Sequence, residues 1–397
     1  MNAVQTFLKQ LYGLEGVLTP LDGYANQNYK LVTSDGTKYI VKLSYDINEL
    51  GIIEAQGNLL TFLSKTENRD IYPQPVLSRN GKMVEVIEDK GEGKATIIRL
   101  LTWLEGGLVK EVTHSKNLFE DLGKALGTLD KSLSEFSDPH INQRYSDWDL
   151  QHALVTSRDT GFIERPENRR LVEYFFLQYQ TSVSPELDFL RKCTIHADAN
   201  DYNILVKDNH VSGLIDFGDC VHSPIINELA IALAYMLMGK ENPVEWAKPL
   251  VKGYHSKLPL VTIEIDLLYY LIAGRLAMSV TKSALSRHRH PENEYLQVSE
   301  TPAWQLLWKW IEINPLDFAN IIKEACGIPV GERETIHTLL TARRKHISGS
   351  LSISYNQPIA MKKAALQYMS RWPCSSKSSK SWSRTNGINE YKHPIYL

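Results

Sequence analysis

The hydrophobic pattern of this chain changes period once, near residue 102, and no other feature constrains its fold as tightly. Before that point apolar residues alternate over short runs bounded by turn residues, the mark of half-buried strands. Tyr29 to Thr33 reads as one strand, Ser34-Asp35-Gly36-Thr37 as a turn, and Tyr39-Ile40-Val41-Lys42-Leu43 as the next strand. The alternation puts Tyr39, Val41 and Leu43 on one face and Ile40 with Lys42 on the other. Residues 47–64 lack proline and carry Leu50, Ile53, Gly57 and Leu60 at helical spacing, while strands at 83–88 and 95–101 flank the turn Asp89-Lys90-Gly91-Glu92-Gly93. Beyond the connector Thr102-Trp103-Leu104-Glu105-Gly106-Gly107 the spacing becomes three or four, with Leu118, Leu122, Leu126, Leu129, Leu133 and Phe136 on one stripe. Further helices are expected at 167–180, 225–238, 263–285 and 303–312, with a hairpin at 203–217 as the exception. The expected fold is α+β in two lobes: a small antiparallel β-sheet with one helix over residues 1–103, and a larger, mostly helical lobe over 104–340. A cleft between two such lobes is a favoured ligand site.

Composition narrows the class. The chain has 397 residues, 43% hydrophobic and 23% charged, which is the make-up of a globular protein and neither a disordered nor a collagenous one. No apolar run reaches the roughly 18 residues that span a bilayer, and Met1-Asn2-Ala3-Val4-Gln5 lacks a signal-peptide pattern. Four cysteines (193, 220, 326 and 374) form no CxxC pair, so reduced thiols in the cytoplasm and no structural zinc are expected. The formal net charge of −2 hides an asymmetry: residues 341–397 hold ten Lys/Arg and one Asp/Glu, which leaves an acidic body. An acidic body disfavours a nucleic-acid partner, since clustered cations hold a phosphate backbone. No membrane partner is expected either, and the oligomeric state is not readable.

The stretch from Thr194 to Asp219 carries the chemistry. Apolar residues lead from Asn203 through Ile204-Leu205-Val206, turn at Asp208-Asn209, and return through Val211 and Leu214-Ile215 to Asp216. The hairpin sets an amide oxygen and a carboxylate near each other, facing whatever Asp198 faces. A hard cation such as Mg²⁺ suits that pair, because it takes few protein ligands and completes its shell with phosphate oxygens and water. Asp198 lies just outside the pair, placed to accept a proton from an attacking hydroxyl.

His196-Ala197-Asp198 followed by Asn203 and by Asp216-Phe217-Gly218 matches the pattern H-x-D-x-x-x-x-N…D-F-G. On these residues the chain resembles the aminoglycoside phosphotransferase family of small-molecule kinases, relatives of the protein kinases, and within it the hydroxylysine-kinase type. The resemblance implies a protein-kinase-like two-lobed fold, with Asp198 as catalytic base, Asn203 and Asp216 holding Mg²⁺ against the phosphates of ATP or GTP, and His196 supporting the loop. Ala197 stands where the family usually has Gly. Lys42, a charged residue within an apolar strand, is the expected phosphate cation, and Glu54 on the following helix its expected partner. The segment Leu21 to Tyr29 resembles the family's phosphate-covering loop, with Asn26 at its usual Asn position. The connector near 102–104 is expected to meet the purine.

The acceptor is expected to be small, because Ser223-Pro224 follows Asp219 almost at once and leaves no room for a peptide platform. Asp219, Glu228 and Asp149 are candidate acids for an ammonium, Trp148 a cation–π face, and Arg275 a partner for a substrate carboxylate. Each has a structural alternative: a cap for Asp219, Glu228 or Asp149, core packing for Trp148, an internal ion pair for Arg275. An amino alcohol or hydroxy amino acid fits, hydroxylysine- or ethanolamine-like, with an aminoglycoside, homoserine or choline as alternatives. Two rival functions are a metal-dependent hydrolase built on His196, Asp198, Asp216, Asp219 and His222, and a nucleotide-binding protein without catalysis. The first leaves Lys42 and Glu54 unexplained; the second sits poorly with a complete set of base, metal ligands and lysine. Finally, residues 343–369 resemble the opening of a class-III, pyridoxal-phosphate-dependent aminotransferase. They are read as a fragment cut short by truncation or a frame change in a poorly ordered basic tail over 341–397, too short for a cofactor site.

Overall fold

The computed structural model describes residues 2–21, 27–88, 95–289 and 300–330. The expected tail at 341–397, its aminotransferase-like segment, Asn26 and the turn at 89–93 lie outside the described residues. Helix α1 (Asn2–Tyr12) leads into strands β1 (Gly16–Leu21), β2 (Gln27–Thr33) and β3 (Lys38–Ser44), then α2 (Leu50–Leu63), β4 (Pro75–Val76), β5 (Val84–Glu88) and β6 (Ala95–Thr102). These strands form one antiparallel sheet in the order β1-β2-β3-β6-β4, with β5 also paired to β6. Its two faces differ. Leu31, Val41, Leu43, Ile98 and Leu100 pack on one side with Leu18 and with Val4 and Leu8 of α1. On the other, Ile97 and Val84 meet Ile53 of α2.

The period-two reading of β3 therefore gives the right faces. The expectation of one helix beside the sheet is corrected: α1 is a second, which seals the outer face with a stripe of four apolar residues, Val4, Phe7, Leu8 and Leu11. A stripe that short, on an 11-residue helix, gains its stability from the sheet beneath it.

The connector pairs with the other lobe through β7 (Gly107–Leu108), and the amphipathic stripe becomes α3 (Lys116–Leu133), capped by Ser115, whose Oγ accepts from Leu118 N. Single turns α4 (Pro139–Asn142) and α5 (Ala153–Thr156) precede α6 (Pro166–Gln178). Strand β8 (Lys192–Ile195), the hairpin β9 (Ile204–Lys207) and β10 (His210–Leu214), and β11 (Val221–Pro224) then carry the chain to helices α7 (Ile226–Met236), α8 (Pro243–Lys257), α9 (Thr262–Arg289), α10 (Glu300–Trp310) and α11 (Pro315–Ala325). Sequence spacing does not show α8, because it contains Pro249 and Gly253. Both residues are accommodated by contacts. Pro249 has no N–H to give to Glu245 O, and Lys116 Nζ takes that carbonyl instead. A Cβ on Gly253 would meet Glu120 O at 2.1 Å, so α3 and α8 touch backbone to backbone there. Among the described residues no helix is long and apolar enough to cross a membrane.

Candidate active site

Two short antiparallel pairings build the site floor. β9 lies between β7 and β10, and β8 pairs with β11. The β9–β10 turn places Asp208 and Asn209 at φ of 52° and 61°, the left-handed pair that two-residue hairpins require. Asn203 therefore precedes one strand and Asp216 closely follows its partner, and Ile215 N donates to Asn203 O at 2.9 Å.

The loop between β8 and β9 is held from three sides. His196 is buried; its Nδ1 accepts from Asp198 N at 3.2 Å, its Nε2 reaches Ile215 O at 2.9 Å, and its ring sits edge-on to Phe217. Ala197 adopts φ +64°, where a Cβ is strained, and its N–H donates to Glu228 Oε2 at 2.8 Å. Asp198 Oδ2 accepts from Asn200 Nδ2 at 3.0 Å and Asn203 Nδ2 at 2.8 Å, and Oδ1 from Arg275 Nη2 at 3.1 Å. Burial pushes the Asp198 carboxyl up to about 6, with Arg275 pulling it down and Asp219 pushing it up. It is a carboxylate poised to take a proton near neutral pH.

Across the cleft Lys42 Nζ meets Asp216 Oδ1 at 2.7 Å. That ammonium holds the Asp216 carboxyl down at about 2 against the cost of burial, with Arg99 and His196 adding to the effect. Both hydrogens of Asn203 Nδ2 go to Asp198, and no described residue donates to Asn203 Oδ1. An ionised carboxylate beside a spare amide oxygen is a hard donor set that fits Mg²⁺. Among the described residues no group of three His, Cys, Asp or Glu side chains is placed to hold a metal, as suits an ion whose other ligands are phosphate oxygens and water.

Several expected roles are corrected by these contacts. Glu54 is exposed on α2 and does not reach Lys42, because the turn of α2 that faces the cleft presents Gln56, whose Nε2 donates to Gly218 O at 3.1 Å. Glu228 is buried beneath the loop on Ala197 N and is closed to an acceptor. Asp149 is buried too, spent on Gln151 N, Gln151 Nε2 and Ser223 Oγ. Arg275 is engaged internally: Nη1 donates to Trp148 O, and Nη2 to Tyr235 OH as well as to Asp198. The Trp148 ring has the Arg275 guanidinium 4.9 Å and Lys282 Nζ 4.7 Å from its centroid, so protein cations already use it. Asp219 remains open, with Arg144 Nη2 at 3.8 Å. Sequence reasoning passed over Arg144, whose Nη1 donates to Gly218 O at 2.6 Å and Cys220 O at 3.0 Å, and the buried Gln56 and Arg99. Arg99 had a signal, a lone charge inside the apolar run Ile97-Ile98-Arg99-Leu100-Leu101, the same signal that marked Lys42.

Comparison with known proteins shows the family and the fold. A family model described as "Phosphotransferase enzyme family" matches residues 17–263. Hydroxylysine kinase of Danio rerio is 31% identical over 313 residues, covering 75% of this chain and 87% of that protein. Hydroxylysine kinase of Mus musculus is 28% identical over 323 residues, covering 75% and 85%. Among solved structures, amicoumacin kinase hAmiN in complex with AMP-PNP, Ca²⁺ and Ami superposes with a TM-score of 0.63 at 20% identity, over 81% of this chain and 96% of that one.

Proposed function

The chain belongs to the phosphotransferase enzyme family, and from that premise we propose that it transfers the terminal phosphoryl group of ATP or GTP to the hydroxyl of a small hydroxy amino acid or amino alcohol, with hydroxylysine as the leading candidate. The observation that carries the reading is the geometry of the site floor: the Asp198 carboxylate is held by Asn200, Asn203 and Arg275, and the Asp216 carboxylate is met by Lys42 from across the cleft, with burial raising the first and the lysine lowering the second. A base must lose its proton at working pH yet still attract one, and a metal ligand must never be protonated.

In this reading Asp198 accepts the proton of the acceptor hydroxyl through the carboxylate that Asn203 and Arg275 orient. Asn203 Oδ1 and Asp216 are the residues that would hold Mg²⁺, which when bound neutralises charge on the transferring phosphates. Lys42, already directed at Asp216, turns its ammonium to the phosphates. Positioning and charge stabilisation supply most of the rate, as in phosphoryl transfer generally. Asp219, the candidate acid still open, suits an ammonium next to the reacting hydroxyl. Lys282, whose ammonium lies over the Trp148 ring, suits a carboxylate several bonds away, and hydroxylysine carries both groups.

The test is transfer of labelled terminal phosphate from each nucleotide to hydroxylysine, ethanolamine, choline, homoserine and an aminoglycoside. Nucleotide-dependent labelling of hydroxylysine with the lowest KM of the panel is expected. Turnover of a phosphorylated compound without nucleotide, or no labelling of any acceptor, overturns the proposal.

A further inference from the structure

Arg99 sits mid-strand in β6, directly opposite Lys42 of β3 in the antiparallel register, so both side chains leave the same face of the sheet. It is only 7% exposed. Among the described residues its guanidinium makes no hydrogen bond and no ion pair, although Asp216, Cys220 and Glu49 lie close enough to act on its charge. The other arginines of the site have their terminal nitrogens engaged: Arg275 by three protein oxygens and Arg144 by two carbonyls. A guanidinium carries five N–H donors, and among the described residues none of those of Arg99 is met by a protein acceptor. No acid from α2 relieves it, since Glu54 faces solvent and Gln56 takes the inward position. Gln56 Oε1 is itself buried and without a donor. The nucleotide side of the cleft therefore holds two adjacent cations, and the one carboxylate that meets either of them, Asp216, is engaged by Lys42.

We propose that Arg99 is a second phosphate-binding cation, which together with Lys42 receives the polyphosphate of the nucleotide. This rests on the phosphotransferase reading, and it adds a residue to that site. A guanidinium matches phosphate oxygens in bidentate fashion, and a ligand that satisfies otherwise idle donors gains more than one that must displace protein partners. Until the polyphosphate arrives, Arg99 sits beside the Lys42–Asp216 pair and repels the Lys42 ammonium.

The experiment is equilibrium binding of AMP-PNP and of adenosine, each at saturating Mg²⁺, to the full chain and its Arg99→Met, Arg99→Gln and Arg99→Lys variants. Arg99→Met and Arg99→Gln are expected to bind AMP-PNP at least about tenfold more weakly with adenosine affinity unchanged, and Arg99→Lys to recover part of the loss. Two variants of different polarity guard against a fold effect, and matching adenosine affinity certifies an intact pocket. Unchanged AMP-PNP affinity, or an equal loss for adenosine, overturns the proposal. So does a rise only in the Mg²⁺ concentration needed for turnover, which marks a residue that merely props Asp216. Failure of the unsubstituted chain to bind either AMP-PNP or GMP-PNP overturns the phosphotransferase reading as well, and so is distinguishable; a chain that binds only GMP-PNP is tested in the same way with GMP-PNP and guanosine.

Discussion

The two sides of the cleft use the same residue types to opposite ends. On the acceptor side an aspartate is raised to about 6 by burial and both terminal nitrogens of its arginine are bonded; on the nucleotide side an aspartate is lowered to about 2 by a lysine and its neighbouring arginine makes no hydrogen bond among the described residues. Desolvation dominates where the charge must be given up in the reaction, and Coulombic attraction dominates where it must persist. The difference teaches that the loop around Asp198, the proposed acceptor side, is held in place by protein contacts, whereas the face that carries Lys42 and Arg99, the proposed nucleotide side, keeps charge that the described residues do not hydrogen-bond.

That contrast can be broken most severely at Asp198. Asp198→Asn keeps an acceptor for Arg275 but removes the base, and kcat should fall on the order of a thousandfold while AMP-PNP affinity is unchanged. Near-normal turnover would dissolve the distinction between the two carboxylates. A smaller effect is expected on the pH profile. Asp198 works as a base only when ionised, so kcat/KM should decline on an acid limb as pH falls through about 6. Arg275 favours the ionised form, so Arg275→Met should move that limb to higher pH by on the order of one unit. A limb that stays in place would show that the guanidinium acts on geometry alone. The smallest effect concerns the loop backbone. Ala197→Gly relieves the φ +64° conformation but frees the unfolded chain, and a net gain of up to about 1 kcal/mol in unfolding free energy is expected with turnover unchanged. A loss of stability would mean that the Ala197 methyl packs too well to give up.

Legibility followed the range of the interactions. The hairpin that brings Asn203 to Asp216 was readable, because turn residues and flanking apolar runs specify it locally. Lys42 stood out by its place in an apolar strand, and the same argument applied to Arg99 would have found it. Helix α8 was not readable, since its Pro249 and Gly253 are tolerated only through Lys116 and the backbone of α3. Nor were the partners of Glu54, Glu228, Asp149 and Arg275. A carboxylate in a sequence carries no mark of whether a backbone N–H, a hydroxyl or a ligand will reach it first.

By itself, then, the sequence determined the two-lobed plan and the change from sheet to helix near residue 102, and it singled out Asp198, Asn203, Asp216 and Lys42 as candidates, because period, turn chemistry and motif spacing are local quantities. Only the tertiary structure decided which charges are spent and which are free: Arg275 against Asp198, Lys42 against Asp216, Gln56 rather than Glu54 facing the cleft, Arg99 bare. Charge pairing depends on distance and burial between segments far apart in the chain, and the rotation of one helix about its axis is enough to exchange one partner for another.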